Sequence, residues 1–465
     1  MMESGNHKTL TLATMCIATF VAILDTTVVN LALHTIQRQL HGSVTVLQWV
    51  LDLYNLTYAS FIMTGGVLGD LFGRRRIFVL GMCLFTLGSL GCGLAPNPSV
   101  LIAGRGVAGI GAALQLPGAL SILNVTFQDE KERAHAIAIW GGFNGLAMAI
   151  GPTLGGLLVD HLGWRSVFFL AVPFGIAVIG MALLRVSESS DPSGRQLDLT
   201  GQIFAFLFLG CLAFGFIQGP SLSWLSTWII ASFVICAISL AGFLKAERAK
   251  SGALVSLDVF RDRAFSGAII DATLMTFGMY ALLFILPLYL QSVRHQTAVL
   301  AGLELLPMSV TFFVVSLFTV RFVNLVGARL SIAIGLALTG IGIGALAFVH
   351  AQSSFLFIWL SLFAIGIGLG LITGPIMTVA VSRVPRERSG MSSGLVNVAR
   401  MVGATLGVAI LGSIFGAHLN QTAHDVPKFL GGMQKALTIG GSGEIVGAAI
   451  AFALLRNGPS SMRSN

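Results

Sequence analysis

The chain has 465 residues, 55% of them apolar and only 10% charged, with a formal net charge of +8. A water-soluble globule carries roughly 25% charged residues, so this composition excludes one. The apolar residues form unbroken runs instead of alternating stripes, which predicts an all-α integral membrane protein. Fifty-six glycines fit that class, because small residues let membrane helices approach closely.

Hydropathy predicts fourteen spans, near residues 10–33, 46–69, 77–95, 99–123, 134–159, 164–186, 200–219, 225–245, 265–291, 299–321, 329–350, 354–380, 389–418 and 435–456. The first run, Leu10 to Leu33, has 24 residues against the roughly 20 that a span needs. Lys8 precedes it, but no small-residue cleavage site follows, so it reads as helix 1 and not as a leader. Inside it sits Asp25, where ionising a carboxyl costs on the order of several kcal/mol. Two roles stay open for it: a functional acid, or structural glue hydrogen-bonded to neighbouring helices. The pair at 200–245 is compatible with one disrupted hairpin, and Gly440, Gly441, Gly443 and Glu444 dilute the last span.

Six spans end at Leu184 and a polar stretch, Ser187–Gly194 with Asp191 and Pro192, reads as a linker. Two spans follow, then the charged segment Lys245–Arg263, then six more. This 6+2+6 order predicts an N-terminal six-helix bundle (1–186), a linker with two inserted helices (187–264), and a C-terminal six-helix bundle with a cytoplasmic tail (265–465). Of the 27 Lys and Arg, only Arg38, Arg294, Lys428 and Lys435 fall in outside loops if the N-terminus is cytoplasmic. The inside set includes Arg74, Arg75, Arg76, Lys245, Arg248, Lys250, Arg261, Arg263, Arg383, Arg386 and Arg388. That bias places both termini in the cytoplasm, and it assigns the positive charge to topology and anionic headgroups, not to nucleic acid. The five cysteines lie in predicted spans without a CxxC pattern, and the histidines, His424 among them, scatter through loops. Neither a disulfide framework nor a metal site is expected. A GxxxxGK phosphate loop is missing, so no nucleotide cofactor is expected; a transporter would draw on an ion gradient, or else merely equilibrate its substrate.

The loop after helix 2 reads Gly66-Val67-Leu68-Gly69-Asp70-Leu71-Phe72-Gly73-Arg74-Arg75-Arg76. An acid and cations this close can latch helices in one conformation and release them in another, or serve only as topogenic charge. The segment resembles the signature loop G-x-L-a-D-r-x-G-r-r of the major facilitator superfamily, with Leu71 in place of a basic residue. Leu101 through Ala113, with Arg105 and Gly109, resembles that family's helix 4 motif, Ala108 standing where Gln is usual. Gly145, Gly151-Pro152 and Gly155-Gly156 resemble its helix 5 antiporter motif. Leu24-Asp25-Thr26-Thr27-Val28-Val29-Asn30 and Trp164-Arg165 with Pro173 and Gly175 resemble signatures of the fourteen-helix drug:proton antiporter branch, with Ala171 replacing a common Asn. Within that branch the chain is similar to antibiotic-resistance exporters of the methylenomycin type. The second half matches mainly by topology and by the Gly-rich run 390–416.

The resemblance implies a multi-pass exporter of the bacterial cytoplasmic membrane, working as a monomer on small molecules and protons, without enzymatic activity. It casts Asp25 and Arg105 as the proton-coupling residues, Gly66, Asp70, Gly73, Arg74 and Arg75 as a conformational latch, and Gly145, Gly151, Pro152, Gly155 and Gly156 as the export face. Arithmetic adds that Asp25 lies roughly 22 Å above the inner end of helix 1. Arg105 lies roughly 21 Å from the inside of a 30 Å core, at the same depth. A proton would be released or captured as Arg105 moves; a permanent pair holding helices 1 and 4 is the other reading. The glycines of helix 5 either let a partner slide and seal or merely pack closely, and Gly374-Pro375 partly echoes them. Arg400 and Glu444 come out near mid-bilayer and are expected to pair, with a second coupling site as the alternative. Asp271 and Glu304 lie near opposite faces as further proton-site candidates, and Asp52 with Trp49 and Tyr54 could line an outer cavity. Met275, Phe277, Met279, Tyr280 and Phe284 suit an apolar ligand. The expected function is proton-coupled export of a toxic small molecule by alternating access, with proton-linked uptake of a metabolite as the alternative.

Overall fold

The computed structural model describes residues 2–191, 197–249, 257–385, 388–418 and 425–455, with side chains from His7 on. Lys250, Arg386, His424, the end of the predicted linker and the predicted tail lie outside the described residues. Every regular element within them is helical. In chain order they are α1 (Met2–Gln39), α2 (Val44–Phe72), α3 (Arg74–Gly93), α4 (Pro98–Thr126), α5 (Glu130–Leu162), α6 (Arg165–Arg185) and α7 (Leu199–Leu222). There follow α8 (Thr227–Ala249), α9 (Arg263–Ser292), α10 (Ala298–Val326), α11 (Ala328–Leu346), α12 (Phe355–Ser382), α13 (Ser389–Gly416) and α14 (Val426–Leu454).

Thirteen of these are both long and apolar enough to cross a membrane. The other, α2, has 29 residues, roughly 43 Å of helix. Gln48, Asp52, Asn55, Thr57, Ser60 and Thr64 dilute its apolar character, and most of them are buried against neighbouring helices. The segment expected as one possible disrupted hairpin forms two separate helices, α7 and α8. Predicted ends shift by several residues: α14 begins at Val426, not 435, with Asp425 capping the Lys428 N–H. Two spans break where proline removes a donor. In α6 the helix interrupts at Leu170, where Pro173 leaves the Phe169 carbonyl without its usual N–H; in α10 it interrupts at Leu305, beside Pro307. Gly407–Leu411 forms a π-helical turn within α13.

The helices pack as two units, Met1–Leu254 with Pro287–Leu303, and Val255–Leu286 with Glu304–Asn465. In the first, α4 is the hub. Its Gly104, Ala108 and Gly111 lie against Gly81, Phe85 and Gly88 of α3, while Gly106 and Gly109 take Leu53, Tyr54 and Thr57 of α2. Thr57 donates its hydroxyl to the Gly106 carbonyl at 3.1 Å. The inserted pair belongs to this unit: the Gln202 side chain on α7 accepts from Thr64 and donates to the Ser60 carbonyl of α2. In the second, Gly335 and Gly342 of α11 meet Ile372, Gly368, Ser361 and Ile365 of α12, and Gly340 meets Gly441 of α14. Thr319 of α10 donates to the Gly370 carbonyl at 2.7 Å.

Two inter-helix turns are built alike. Gly73 (φ 108°) joins α2 to α3 and Gly327 (φ 86°) joins α10 to α11; positive φ favours glycine at both. Bare backbones carry the tightest contacts. A β-carbon at Gly81 would stand 2.8 Å from both the Gly111 carbonyl oxygen and the Gln115 nitrogen. Gly81→Val should therefore overpack the α3–α4 seam and cost about 1–3 kcal/mol. Thermal unfolding of the purified protein in detergent measures it, with Gly91→Val, a position facing open space, as the matched control.

Candidate proton-coupling site

Helix α1 carries Asp25 into the packed interior of the first unit, and α4 brings Arg105 to meet it. Arg105 Nη1 and Asp25 Oδ2 are 2.5 Å apart, with the residues 2% and 4% exposed. The guanidinium also donates through Nε to the Val50 carbonyl on α2 at 3.0 Å. The Tyr54 ring lies 4.2 Å from its Cζ. Two neighbouring helices, α1 and α2, thus hold the cation of α4, through an ion pair, a hydrogen bond and a cation–π contact. Asp25 Oδ1 has no hydrogen-bond partner among the described residues. The carboxyl group is half satisfied, with one guanidinium as its hydrogen-bond donor among the described residues. Asp52, two residues from both Val50 and Tyr54 on α2, is fully buried, with neither carboxyl oxygen partnered among the described residues.

The loop between α2 and α3 is tied to the segment after α6. Asp70 accepts from Arg74 Nε and Nη2 at 3.0 and 2.8 Å. The Asp70 carbonyl accepts the Asp191 N–H, and the Arg74 N–H goes to the Ser189 carbonyl. Glu188 is central here. It accepts the Arg75 N–H at 3.0 Å and lies 3.7 Å from the side chains of Arg75 and Arg76, while Arg75 Nη1 donates to the Val186 carbonyl. Its carboxylate also presses on Gly73, where a β-carbon would stand 2.8 Å from Oε1. Gly66 sits at the α2–α4 seam, against Pro117.

On α5, Gly145 is half-buried, whereas Gly151, Pro152, Gly155 and Gly156 are buried. Gly151 and Gly155 face Thr27 and Val28 of α1. Gly156 instead meets Ala298 and Val299 at the start of α10, and Gly302 meets the Pro152 carbonyl. One turn on, the Asp160 carboxylate accepts the Ala298 and Val299 N–H groups at 3.0 and 2.9 Å, capping α10.

The charges of the second unit do not assemble as expected. Arg400 and Glu444 form no ion pair. Arg400 Nη2 donates to the Thr373 carbonyl of α12 at 2.8 Å, while Glu444 projects toward Gly278 of α9. Equal depth fixed their height but not the direction each helix turns them. Glu304 accepts from Trp359 Nε1 at 2.5 Å, and Asp271 is buried without a hydrogen-bond partner among the described residues. Of the expected apolar lining, Phe284 packs edge-on to Phe415, which packs on Phe429. That residue is core of the second unit. Met275 Sδ lies 4.0 Å from Thr373 Oγ1, and Phe277 packs on Gly407.

Sequence reasoning missed Glu188, Asp160 and Gln202. Their partners lie over a hundred residues away, so only an acid within a polar stretch, an acid ending an apolar run and an amide opening one were visible.

Thirteen helices long and apolar enough to cross a membrane, with an acid–guanidinium pair buried in the first unit, mark a multi-pass membrane protein. Residues 15–408 match the Major Facilitator Superfamily, and the chain belongs to that family. It is 39% identical over 413 residues to "Multidrug resistance protein Stp" of Mycobacterium tuberculosis, covering 89% of this chain and 77% of that one. It is 33% identical over 412 residues to "Methylenomycin A resistance protein" of Bacillus subtilis, covering 88% of each. Among solved structures it resembles a bacterial homologue of the human lysosomal transporter Spinster in an inward-facing, unoccupied conformation. The TM-score is 0.71 over 97% of both chains at 18% identity, which speaks to the fold alone.

Arg105→Lys keeps a cation but not the fork that reaches Asp25 and the Val50 carbonyl together. It should lower thermal stability in detergent and substrate export, and more so than Tyr54→Phe, which keeps the ring beside the guanidinium. Equal melting of Arg105→Lys and wild type would remove the fork from the argument. Glu188→Gln, at a half-exposed ion pair, should change stability by less than about 1 kcal/mol. Its expected effect is on turnover, several-fold in a transport assay, because the loop loses the acid that holds Arg75 and Arg76.

Proposed function

We propose that the protein exports a toxic small molecule, an antibiotic or drug, across the bacterial cytoplasmic membrane in exchange for protons. The observation that carries this reading is the Asp25–Arg105 pair, 2.5 Å apart and almost wholly buried, with the second carboxyl oxygen unpartnered. Withdrawal of the guanidinium leaves an acid among apolar helices, where its charged form is strongly disfavoured, so it takes up a proton. Return of the guanidinium expels that proton. Coupling this exchange to the rocking of two six-helix bundles, residues 1–186 and 265–465, makes proton entry and substrate exit one cycle. Both termini lie on the cytoplasmic side and the working unit is a monomer.

The names of the relatives support the direction and the cargo class, since the two reported are resistance proteins. Energetics allow it. An inward proton is worth about 2.3 kcal/mol per 100 mV of potential, which sustains a substrate gradient of roughly fifty-fold per proton before any pH contribution.

Everted vesicles from cells expressing the chain test the scheme, with methylenomycin A among a panel of antibiotics. Wild-type vesicles acidified in the lumen should accumulate substrate, and a protonophore should abolish this. Asp25→Asn, which strands the Arg105 charge, should lower thermal stability and lose proton-driven accumulation in the fraction that folds. Full accumulation by that variant would remove Asp25 from the mechanism, and accumulation only without an acidic lumen would favour uptake.

A further inference from the structure

Two acids of the second unit take no part in the scheme above. Glu444 on α14 and Asp271 on α9 are each 0% exposed. None of their four carboxyl oxygens has a hydrogen-bond partner among the described residues. Glu444 Oε1 lies 2.9 Å from where a β-carbon on Gly278 of α9 would stand, so it points at the helix that carries Asp271. On its other side the Glu444 β-carbon abuts Gly340 of α11, and a β-carbon at Gly340 would come within 2.7 Å of the Gly441 carbonyl oxygen.

The charges around Glu444 can be taken helix by helix. From α9 come Tyr280 and Asp271; Asp271 stands seven residues before Gly278, on the same face of α9 and roughly 10 Å along the helix from the point that Glu444 faces. Helix α11 supplies Arg329, whose guanidinium lies 4.0 Å from the ring centre of Phe452, two turns along α14. Helix α13 supplies Arg400, held by the Thr373 carbonyl, and His418, which meets Lys435 at 2.9 Å toward the start of α14. The cations are all engaged away from the carboxyl. A lone carboxylate in such surroundings is costly enough that it neutralises instead. Two buried acids along one helix seam disfavour joint ionisation further.

We propose that Glu444 and Asp271 form a second proton-binding site, contained within the second unit and separate from the Asp25–Arg105 pair. A proton is the ligand that fits. Gly278 and Gly340 close on Glu444 with bare backbone, which leaves no room for an organic cation. A metal ion would want six or more oxygen ligands, and the surrounding helices spend their carbonyls on their own hydrogen bonds. The site lacks the guanidinium that expels the proton at Asp25, so it loads and releases by a change in its access to water. Its existence stands on this geometry alone; its part in transport rests on the proton-exchange reading.

Infrared difference spectroscopy of the purified, full-length protein in detergent, stepped between acidic and alkaline pH, tests the site without requiring transport. Wild type should show the carbonyl absorption of a protonated carboxyl at neutral pH. Glu444→Gln should lose that band, Glu444→Asp should keep it shifted in frequency, and Asp271→Asn should move the pH at which it titrates. Asp25→Asn should leave it in place. A band unchanged in folded Glu444→Gln, or missing from wild type at neutral pH, overturns the proposal. Should Glu444→Gln fail to fold, Glu444→Asp and Asp271→Asn decide the same question, an unaltered band in both counting against it. In proteoliposomes with an imposed potential, Glu444→Gln should move fewer protons per substrate than wild type, and an unchanged ratio denies the site a role in coupling. Loss of transport in wild type would instead count against the export reading and leave the infrared result standing.

Discussion

A charge placed among apolar helices must be paired or neutral, and this constraint organises both units. In the first, Arg105 reaches Asp25, and α2 offers the same guanidinium a carbonyl and an aromatic face. Breaking a buried pair by removing one partner typically costs about 3–5 kcal/mol. That cost holds α1 and α4 together, since neither side chain can leave the other without stranding a charge among apolar helices. A surface ion pair such as Lys8–Glu132 has water as an alternative partner and carries no comparable consequence.

Membrane helices gain little from hydrophobic association, so close packing must supply the cohesion. The glycines deliver it by letting backbones touch: α3 on α4, α11 on α12, and α11 on α14. Hydroxyls of Thr57, Thr319 and Ser331 then bond to carbonyls of the facing helix, adding direction to the contact. These seams position the charges. Arg105 points at Asp25 because the α4 glycines beside it seat that helix tightly between α2 and α3.

Membrane span, helix order and the Asp25–Arg105 pair were legible in the sequence because each depends on one coordinate. Unbroken apolar runs give helices, and residue count along a run gives depth. Rotation about the helix axis is a second coordinate that hydropathy does not carry. Asp25 and Arg105 share both depth and facing, and the pair forms. Arg400 and Glu444 share depth alone, and α13 turns its arginine to Thr373 while α14 turns its acid to Gly278. The helix breaks at Leu170 and Leu305 were readable in principle, since Pro173 and Pro307 follow closely. Glu188 was not, because its meaning comes from a loop 113 residues earlier.

That loop also explains how the chain tolerates its departure from the family pattern. Leu71 stands where a basic residue is usual, so Asp70 takes its cation from Arg74 across the Gly73 turn. Arg75 and Arg76, freed from Asp70, are answered by Glu188 from the segment after α6. The equivalent turn in the second half keeps the glycine, Gly327, but has Asn324 and Ala328 where the first has Asp70 and Arg74. The backbone need is the same in both halves, and glycine meets it in both. The charged clasp is present in only one, so the two turns cannot respond alike to a change in local electrostatics. The repeated turn thus carries the Asp70–Arg74 clasp in one half, with Asn324 and Ala328 in its place in the other.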